Sequence, residues 1–375
     1  MAKLRVMQVL SSTEFGGTTA MVMNIYRNID RSYLQFDFIT HDQRDHDYDE
    51  EMQDLGARIF SLPLLSKIGI YPFVKEIEKT LVANGPYAAV HSHTDFQSGY
   101  SAWAAKLANI NNRICHAHSN FDDSRAIQKL KVALGRAVIK SYATDKYACS
   151  EKAASSIFGP STVKNNGFNL FNNGIDTSHY KNVTRDIRQE WKREYGITEK
   201  TLVVGHVGRF DPIKNHDFMM DICQLAKEQK KNIVFMMVGN GIAWEEVKEK
   251  VMRRNLQKQI IFPGSKANIP EYMAGFDVLL LPSFCETLGL VCIEAQAAGT
   301  PCIVSNGVPA NADLNMNLFK RMALEEGCQK WLDMIIYFAS KQRLNWQERS
   351  EFIKKSGYDA KVNAQILLKK YTERL

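Results

Sequence analysis

Residues 278–305 read VLLLPSFCETLGLVCIEAQAAGTPCIVS, and this stretch decides the fold class. It opens with the apolar run at 278–281, passes through an apolar helical segment at 291–298, and closes on a second short apolar run at 301–304. Short runs that are apolar at every position are typical of parallel strands covered by helices on both faces. The stretch therefore predicts a strand–helix–strand unit of an α/β protein.

The same alternation of strand and helix patterns extends from this unit toward both ends of the chain. Further strand-like runs lie at residues 4–10, 36–40, 88–90, 113–117, 145–149, 201–207, 233–238 and 259–262. A less regular region around 165–200 separates the two series. The sequence therefore predicts two Rossmann-like domains, with ligands bound beyond the carboxyl ends of the strands in a cleft between the domains.

Length and composition exclude several classes of protein. A chain of 375 residues, 45% hydrophobic and 24% charged, suits two soluble domains and contains no apolar run of the roughly 18 residues that a membrane helix needs. The net charge of +7 is too small to indicate a nucleic-acid partner. The seven cysteines include no C-x-x-C pair, so a reducing cytosol is expected rather than a disulfide framework or zinc ribbon. The first apolar run is too short for a signal peptide.

One segment, residues 125–146, concentrates positive charge. It has one acid, Asp145, and apolar side chains at helical spacing. Its bases are Arg125, Lys129, Lys131, Arg136, Lys140 and Lys146. The pattern predicts an amphipathic helix whose basic face either contacts anionic lipid or a phosphorylated acceptor, or is an ordinary solvated surface.

Two glycine-containing turns follow strands and are candidates for phosphate binding. Gly16 and Gly17 open a helical run, where backbone N–H groups can approach an anion, although a plain tight turn has the same pattern. Gly208 is followed by Arg209 and Lys214 in VGRFDPIKN at 207–215. These two cations can neutralise a diphosphate, or they can be solvated surface bases.

The stretch that decides the fold also carries two carboxylates eight positions apart. Glu286 lies in the predicted turn and Glu294 in the apolar helix, with Gly289 between them. A carboxylate among apolar residues needs hydrogen-bond donors, such as the two hydroxyls of a ribose. The two carboxylates can therefore bind different parts of one extended ligand. Alternatively, Glu286 caps the helix and Glu294 has a structural role.

Histidines follow two of the strands in His-x-His units. His91 and His93 form one pair and His116 and His118 the other, and alternate residues of a strand share a face. Each pair can chelate a metal, but no carboxylate or cysteine set at ligand spacing accompanies them. Structural roles are therefore favoured, with one histidine of the second pair lining the cleft.

An acidic run, DHDYDEE at residues 45–51, contains an Asp-x-Asp motif. Such carboxylates can hold a divalent ion on a nucleotide diphosphate. Here Asp47 and Glu50 also fit an Asp-x-x-Glu cap of the helix that follows. The capping interpretation is preferred, and no metal site is predicted.

Together these motifs resemble those of glycosyltransferases of family 4, which have the GT-B architecture, and are especially similar to those of bacterial exopolysaccharide and capsule glycosyltransferases. The resemblance covers nearly the whole chain. Its segments are FGGTTAMVMNIYRNIDRSYLQFDFIT, DYDEEMQDLGARIF, VHSHTDFQSGYSAWAAKLANINNRICHAHSN, SYATDKYACSEKAASSIFG, NNGID, VGRFDPIKNH and PSFCETLGLVCIEAQAAGTPCIVS. The last of these, with its paired glutamates, is the most specific.

The resemblance implies roles for residues of the second domain. Glu294 would bind the nucleotide ribose, and Arg209 and Lys214 would stabilise the departing diphosphate. The donor sugar and diphosphate would be held by a further set, namely Gly208, Glu286, Leu288, Gly289 and Leu290.

In the first domain, the resemblance implies that the Gly16–Gly17 turn closes over the diphosphate. His118 best matches the family's active-site histidine near the donor sugar, and His116 is the alternative. Ala310 is a departure, because many relatives carry a glutamate there.

The resemblance also implies how the chain is divided and how it reacts. Residues 1–175 would form an acceptor-binding domain, residues 176–355 a nucleotide-sugar-binding domain, and residues 356–375 a helix crossing back to the first domain. The family retains anomeric configuration, needs no catalytic metal or cofactor, and closes its domains around the donor.

The sequence thus predicts a retaining hexosyltransferase that moves a sugar from a UDP-sugar to a lipid-linked or saccharide acceptor in exopolysaccharide or capsule biosynthesis. It would be cytoplasmic, with peripheral membrane contact through the 125–146 segment. The alternatives are a non-catalytic nucleotide-sugar-binding partner subunit of another glycosyltransferase, and a nucleotide-sugar epimerase.

Overall fold

The computed structural model describes residues 3–42, 44, 46–119, 126–182 and 185–374, and it divides into two units. The first unit comprises Met1–Asp176 and Gly357–Leu375, and the second comprises Thr177–Ser356. Each unit is built on a parallel sheet packed with helices. The predicted α/β class with two Rossmann-like halves is confirmed.

The first unit contains a seven-stranded sheet in the order β3-β2-β1-β4-β5-β6-β7. Its strands are β1 Leu4–Val9, β2 Leu34–Thr40, β3 Ile59–Ser61, β4 Ala89–Ser92, β5 Arg113–Ala117, β6 Asp145–Ala148 and β7 Asn169–Leu170. Its helices up to this point in the chain are α1 Gly17–Asn28, α2 Asp49–Asp54, α3 Leu65–Ile68, α4 Ile70–Asn84, α5 Ser98–Leu107, α6 Ala126–Tyr142, α7 Glu151–Phe158 and α8 Pro160–Lys164. All seven residues of β2 are buried, as expected for a strand covered on both faces.

The second unit contains a six-stranded sheet in the order β10-β9-β8-β11-β12-β13. Its strands are β8 Leu202–Val207, β9 Ile233–Val238, β10 Ile260–Gly264, β11 Val278–Leu281, β12 Cys302–Ser305 and β13 Phe319–Met322. Its helices are α9 Arg185–Glu194, α10 His216–Glu228, α11 Trp244–Arg253, α12 Ile269–Gly275, α13 Leu290–Ala297, α14 Gly327–Ala339 and α15 Trp346–Lys355. Short 3₁₀ turns lie at Asp95–Gln97, Thr177–Tyr180, Pro212–Lys214, Ala310–Ala312 and Leu324–Glu326.

The last helix, α16 Ala360–Thr372, packs in the first unit. Asp359 caps it by accepting hydrogen bonds from the backbone N–H groups of Lys361 and Val362. Its fully buried Tyr371 contacts Phe36 of β2 edge-to-face, with ring centroids 6.0 Å apart. The helix therefore covers one face of the sheet of the first unit.

Three strands have no counterpart among the predicted apolar runs, and each lies at an edge of its sheet: β3, β7 and β13. An edge strand is covered by fewer neighbours, so it does not need the continuous apolar run of a central strand. Strand β13, for example, reads FKRM, and its lysine and arginine are exposed. The remaining strands lie within two residues of the predicted bounds.

The predicted amphipathic helix at 125–146 is shorter and less basic than the sequence suggested. Arg125 lies outside the described residues, α6 ends at Tyr142, and Lys146 belongs to β6. Arg136 is half-buried and donates to the carbonyl of Ser156 at 3.1 Å. Within the part of the chain that the structure describes, no helix has both the length and the apolar character required to cross a membrane.

Candidate active site

The predicted site residues of the second unit lie on two loops that follow neighbouring strands and on the helix that follows the second loop. One loop, residues 208–215, follows β8, and the other, residues 282–289, follows β11. Strands β8 and β11 pair in parallel at the point where the strand order reverses, since β9 flanks β8 and β12 flanks β11. Ligands of open α/β sheets bind at such a switch point, beyond the carboxyl ends of the strands.

Lys214 and Glu286 form an ion pair across these two loops. The Lys214 Nζ and Glu286 Oε1 atoms are 2.5 Å apart, and the side chains are only 17% and 12% exposed. Ser283 Oγ donates to the same carboxylate oxygen at 2.7 Å. The two donors fix Glu286 and leave its Oε2 without a hydrogen-bond partner among the described residues, so this oxygen is available to a ligand.

Backbone hydrogen bonds join these loops to a third, which follows β12. The Phe284 N–H donates to the carbonyl of Ile213 at 2.8 Å, and the Glu286 N–H donates to the carbonyl of Gly307 at 2.9 Å. A Cβ at position 307 would lie 2.4 Å from the carbonyl oxygen of Phe284, so a glycine is required for this close approach. The ion pair is therefore held in a rigid frame.

Gly289 turns the chain into α13. Its φ is +76°, a left-handed conformation that glycine adopts without strain, and a Cβ there would approach Val308 Cγ1 to 3.1 Å. No side chain caps the amino terminus of α13, which begins at Leu290, while Leu288 is buried beneath the turn. Uncapped N–H groups at a helix amino terminus favour an anion such as a phosphate.

Arg209 is exposed and has no ion pair or hydrogen bond to any residue for which the structure gives a position. Its neighbour Phe210 is fully buried and stacks on the ring of His216, with centroids 4.4 Å apart. The Gly208 N–H donates to the carbonyl of Val238 at 3.0 Å. The loop is thus anchored on both sides of Arg209, while the guanidinium is left for an external anion.

Glu294 lies on α13 between the buried Ile293 and Ala295. The residue keeps some exposed surface, but loss of solvent around its carboxyl group raises the pKa to about 7. In the described ranges no side chain or backbone group donates a hydrogen bond to the carboxyl group of Glu294. A ligand with two hydroxyl donors would supply the missing partners.

In the first unit, the acidic run braces the Gly16–Gly17 turn. Asp47 Oδ2 accepts a hydrogen bond from the Phe15 N–H at 2.8 Å, and Asp49 accepts one from the Thr13 hydroxyl. A Cβ added at Gly17 would meet no described atom within 4 Å, so the space beside the turn is open.

The interpretation of Asp47 and Glu50 as a helix cap is wrong. The N-cap position of α2 is Tyr48, whose side chain makes no capping hydrogen bond to the helix, and the Asp47 carboxylate is directed to the backbone of Phe15 instead.

All four histidines of the His-x-His units are buried in the first unit. Burial lowers the pKa of His91 and of His118 to about 3 and that of His93 and of His116 well below its usual value, so all four rings are neutral near pH 7. Asp95 accepts hydrogen bonds from the backbone N–H groups of His118 and Ser119 at 2.8 and 3.1 Å, which fixes the backbone at His118.

Among the residues whose positions the structure describes, two side-chain clusters have ligand atoms close enough to share a metal ion: His91, His93 and His116, and a partly exposed set of Glu14, Asp42 and His46. In the first cluster each ring already has a hydrogen-bonded nitrogen, because His91 Nε2 lies 3.2 Å from His116 Nδ1 and His93 Nδ1 lies 2.9 Å from His118 Nε2. An ion is therefore not needed to satisfy these nitrogens. The expectation that the protein works without a metal or a cofactor stays a prediction.

The structure thus places the predicted residues of the second unit on linked loops and on α13, with Lys214 and Glu286 in direct contact. Sequence reasoning missed Ser283 and Gly307, which hold Glu286 in position. Ser283 is three residues before Glu286 in the same predicted turn, so its hydroxyl is a signal that the sequence contains. The contact with Gly307 depends on the pairing of β11 with β12 and has no local signal.

The sequence is similar to one protein-family model and to individual bacterial proteins. Residues 187–357 match the family model described as Glycosyl transferases group 1. The chain is 36% identical over 374 residues to EpsF of Bacillus subtilis (strain 168), whose name describes it as a glycosyltransferase, and the alignment covers 98% of this chain and 96% of EpsF. It is 26% identical over 330 residues to the capsular polysaccharide biosynthesis glycosyltransferase CapH of Staphylococcus aureus, with 86% of each chain covered.

A solved structure shows the same fold. The crystal structure of HepE from Anabaena in complex with UDP-glucose matches 98% of each chain with a TM-score of 0.77, at 16% sequence identity. This likeness, with the two parallel sheets, confirms the predicted GT-B architecture. Because the similarity to EpsF extends over nearly the full length of both proteins, the chain belongs to the family of glycosyl transferases group 1 and is a glycosyltransferase.

Proposed function

We propose that this glycosyltransferase is a retaining enzyme of family 4 that transfers a sugar from a UDP-sugar to a lipid-linked or saccharide acceptor in exopolysaccharide or capsule biosynthesis. The observation that carries the proposal is the Lys214–Glu286 ion pair at the reversal of strand order in the second unit. Around it lie an uncapped helix amino terminus and two charged side chains, Arg209 and Glu294, that lack protein partners within the described chain.

The donor is proposed to bind along α13. Glu294 accepts hydrogen bonds from the two ribose hydroxyls, and the diphosphate lies at the amino terminus of the helix, where Gly289 lets the backbone approach it. Glu286 Oε2 accepts a hydrogen bond from a hydroxyl of the transferred sugar. The uridine assignment is supported by the UDP-glucose bound to HepE, and the polysaccharide pathway by the name of CapH.

The cations of the second unit are proposed to stabilise the leaving group. As the bond between the anomeric carbon and the phosphate oxygen breaks, its electron pair remains on the diphosphate, which gains negative charge. Arg209 and Lys214 are placed to neutralise that charge before the reaction starts, which is the most effective form of electrostatic catalysis. Charge that a divalent ion supplies in other transferases is here supplied by these side chains.

The acceptor is proposed to attack from the face that the diphosphate leaves. A new bond forms between the acceptor oxygen and the anomeric carbon, and the acceptor proton passes to the departing phosphate oxygen. Configuration is retained because both groups use one face of the sugar, and no protein nucleophile is needed. His118 of the first unit is proposed to contact the transferred sugar, and the Gly16–Gly17 turn the diphosphate.

A lipid-linked acceptor is supported by the exposed face of α6. Ile127, Leu130 and Leu134 recur at intervals of three and four residues and are 65%, 59% and 50% exposed. Lys129 and Lys131 are exposed beside them. An apolar stripe flanked by lysines suits the surface of an anionic membrane, so we place the enzyme in the cytoplasm with peripheral contact to the inner face of the cell membrane.

The test is release of UDP from a panel of UDP-sugars by the purified protein, with and without polysaccharide-repeat lipids. We expect one donor to be turned over, with or without a chelator, and Lys214→Ala and Glu294→Ala each to depress turnover strongly while the variants stay folded. Unchanged turnover in both variants would overturn the site. A folded protein that releases UDP from no donor would instead be a binding subunit, and conversion of one UDP-sugar into another without acceptor would indicate an epimerase.

A further inference from the structure

Six buried polar side chains form one connected hydrogen-bond network in the core of the first unit. They are Gln8 of β1, His91 of β4, His93, His116 of β5, His118 and Tyr371 of α16. Each is at most 7% exposed. Neutral imidazoles have one donor and one acceptor nitrogen, so the direction of each hydrogen bond determines the direction of the next.

One arm of this histidine network runs from Gln8 to His118. Gln8 Oε1 lies 2.9 Å from His93 Nε2, and since an amide oxygen only accepts, His93 Nε2 carries the proton. His93 Nδ1 must then accept, and it lies 2.9 Å from His118 Nε2, which therefore carries the proton of that ring. The remaining nitrogen, His118 Nδ1, is left as an acceptor, and it is buried with no partner among the described residues.

The second arm starts from the other end of the same amide. Gln8 Nε2 donates to Tyr371 Oη at 3.2 Å, so the tyrosine hydroxyl donates its own proton to His91 Nδ1 at 2.7 Å. His91 Nε2 then donates to His116 Nδ1 at 3.2 Å. This leaves His116 Nε2 as a buried N–H donor, again without a partner in the described ranges.

The two arms end on adjacent rings. The imidazoles of His116 and His118 stack with centroids 4.1 Å apart, and they carry the unpaired donor and the unpaired acceptor. Buried polar groups without partners are costly, and they recur where a ligand completes the hydrogen bonding. A hydroxyl group is chemically suited to the unpaired acceptor, because it can donate a hydrogen bond to a nitrogen lone pair.

We propose that Gln8 and His93 are positioning residues that hold His118 as the Nε2-protonated tautomer, so that its Nδ1 accepts a hydrogen bond from a hydroxyl of the bound sugar. The proposal rests on the role given to His118 in the proposed function. The tautomer of His118 is selected by the orientation of the buried Gln8 amide, which lies on β1, two strands away from β5 in the sheet.

The test measures the tautomer directly, by the ¹⁵N chemical shifts of His118 in the full-length protein labelled on histidine. Wild type should give a pyridine-type Nδ1 and a pyrrole-type Nε2. Gln8→Leu removes the acceptor for His93 Nε2, and His93→Leu removes the acceptor for His118 Nε2. In both variants the two ¹⁵N shifts of His118 should therefore move toward the values of a mixture of tautomers. His93→Asn offers an amide oxygen near the position of Nδ1 and should keep the wild-type pattern.

Activity and binding complete the test. With the UDP-sugar that the protein turns over, kcat of Gln8→Leu and His93→Leu should fall about twofold to tenfold, because only the molecules that hold His118 as the Nε2-protonated tautomer make the hydrogen bond to the sugar. The Kd for UDP, which lacks the sugar, should stay unchanged. Gln35→Leu is the matched control, since Gln35 is equally buried in the same unit but bonded to Leu55 and Tyr26. It should lower stability and leave the His118 signals and kcat as in wild type.

A pyrrole-type Nδ1 in the wild type, or an unchanged His118 pattern in both leucine variants, would overturn the positioning role. A changed tautomer with unchanged kcat would overturn the contact with the sugar. The proposed function fails by a different result, namely turnover that is unchanged in both Lys214→Ala and Glu294→Ala, and that outcome leaves the tautomer measurement standing.

Discussion

Lys214 and Glu286, which are 72 residues apart in the sequence, meet in an ion pair of 2.5 Å. The pairing of β8 with β11 brings them together, and the Ser283 hydroxyl completes the cluster. Both side chains are largely withdrawn from solvent. Each therefore depends on the other for its electrostatic environment, and a change in either alters the charge that a bound diphosphate meets.

We expect Lys214→Ala to lower kcat by about 100-fold to 1,000-fold, because it removes a cation placed for the leaving group. It should also lower the free energy of unfolding by about 1–3 kcal/mol, since Glu286 is left without its cation in a partly buried site. Glu286→Ala should lower the free energy of unfolding less in the Lys214→Ala variant than it does in the wild-type protein. A double-mutant cycle by urea unfolding would measure this difference.

The matched control for that cycle is Lys250→Ala. Lys250 lies in the same unit and pairs with Asp217 and Glu246, but these partners are about half-exposed and none of the three residues belongs to the loops of the site. Its loss should cost less than about 1 kcal/mol and leave kcat unchanged. Equal losses of activity in the two lysine variants would contradict the assignment.

Arg209→Ala should separate activity from stability. The guanidinium has no hydrogen bond or ion pair with the described residues, so its removal should leave the urea midpoint within experimental error. Turnover should fall about 100-fold, because the leaving diphosphate loses a charge-assisted donor. The result to compare is kcat at saturating donor, and an unaffected value would place Arg209 outside the site.

UDP affinity should depend on Glu294 and on pH. The pKa of this carboxyl group is raised to about 7, and ribose hydroxyls donate to its ionised form, so binding favours loss of the proton. Affinity is therefore full above pH 7 and is lost as the pH falls, by about tenfold for each unit below the pKa.

Calorimetric titration of UDP between pH 6 and 8 would measure this dependence. Glu294→Gln is the control, because it keeps the titration of the UDP phosphate and removes that of the carboxylate. The variant should bind UDP more weakly at pH 8 and show a shallower pH dependence. Identical slopes for both proteins would show that the ribose does not meet this side chain.

Gly289→Ala should impair nucleotide binding as well as stability. An alanine at φ +76° costs about 1–2 kcal/mol, and its Cβ would press against Val308 and shift the amino terminus of α13. Gly264→Ala has a similar φ of +79° but meets no described atom within 4 Å. Thermal unfolding should fall in both variants, whereas the Kd for UDP should rise only in Gly289→Ala. A normal Kd there would argue against a phosphate site at α13.

Membrane contact through α6 predicts a charge-specific loss of vesicle binding. Lys129→Glu with Lys131→Glu should abolish sedimentation with vesicles that contain anionic lipid, because each basic side chain near such a surface contributes about 1 kcal/mol. The control is Lys75→Glu with Lys79→Glu, which makes the same change of charge on exposed lysines of α4. Equal loss in the two double variants would indicate a general charge effect instead of a docking face.

The central strands could be predicted because strands buried on both faces are apolar at nearly every position, as in the uninterrupted VLLL of β11. The edge strand β13 could not be predicted, because its exposed Lys320 and Arg321 remove the apolar signal. The acidic cap was mispredicted for a related reason. Asp47 fits a local capping motif, but a tertiary contact with the Phe15 backbone takes its carboxylate.

In the candidate site, too, residues marked by a local sequence pattern could be predicted, and contacts between distant parts of the chain could not. Arg209, Lys214, Glu286 and Glu294 are visible in the sequence, because chemistry in an α/β fold is expected directly after strands. The histidine network was not predictable. It joins Gln8 to Tyr371 at the opposite end of the chain, and the tautomer of His118 depends on that amide rather than on the residues around it in sequence.

The most direct test of the donor-site assignment is a crystal structure of the protein with UDP. We expect the ribose hydroxyls within hydrogen-bond distance of the Glu294 carboxylate and the diphosphate at the amino terminus of α13, contacted by Arg209 and Lys214. UDP bound with its ribose and phosphates away from these four elements would contradict the assignment.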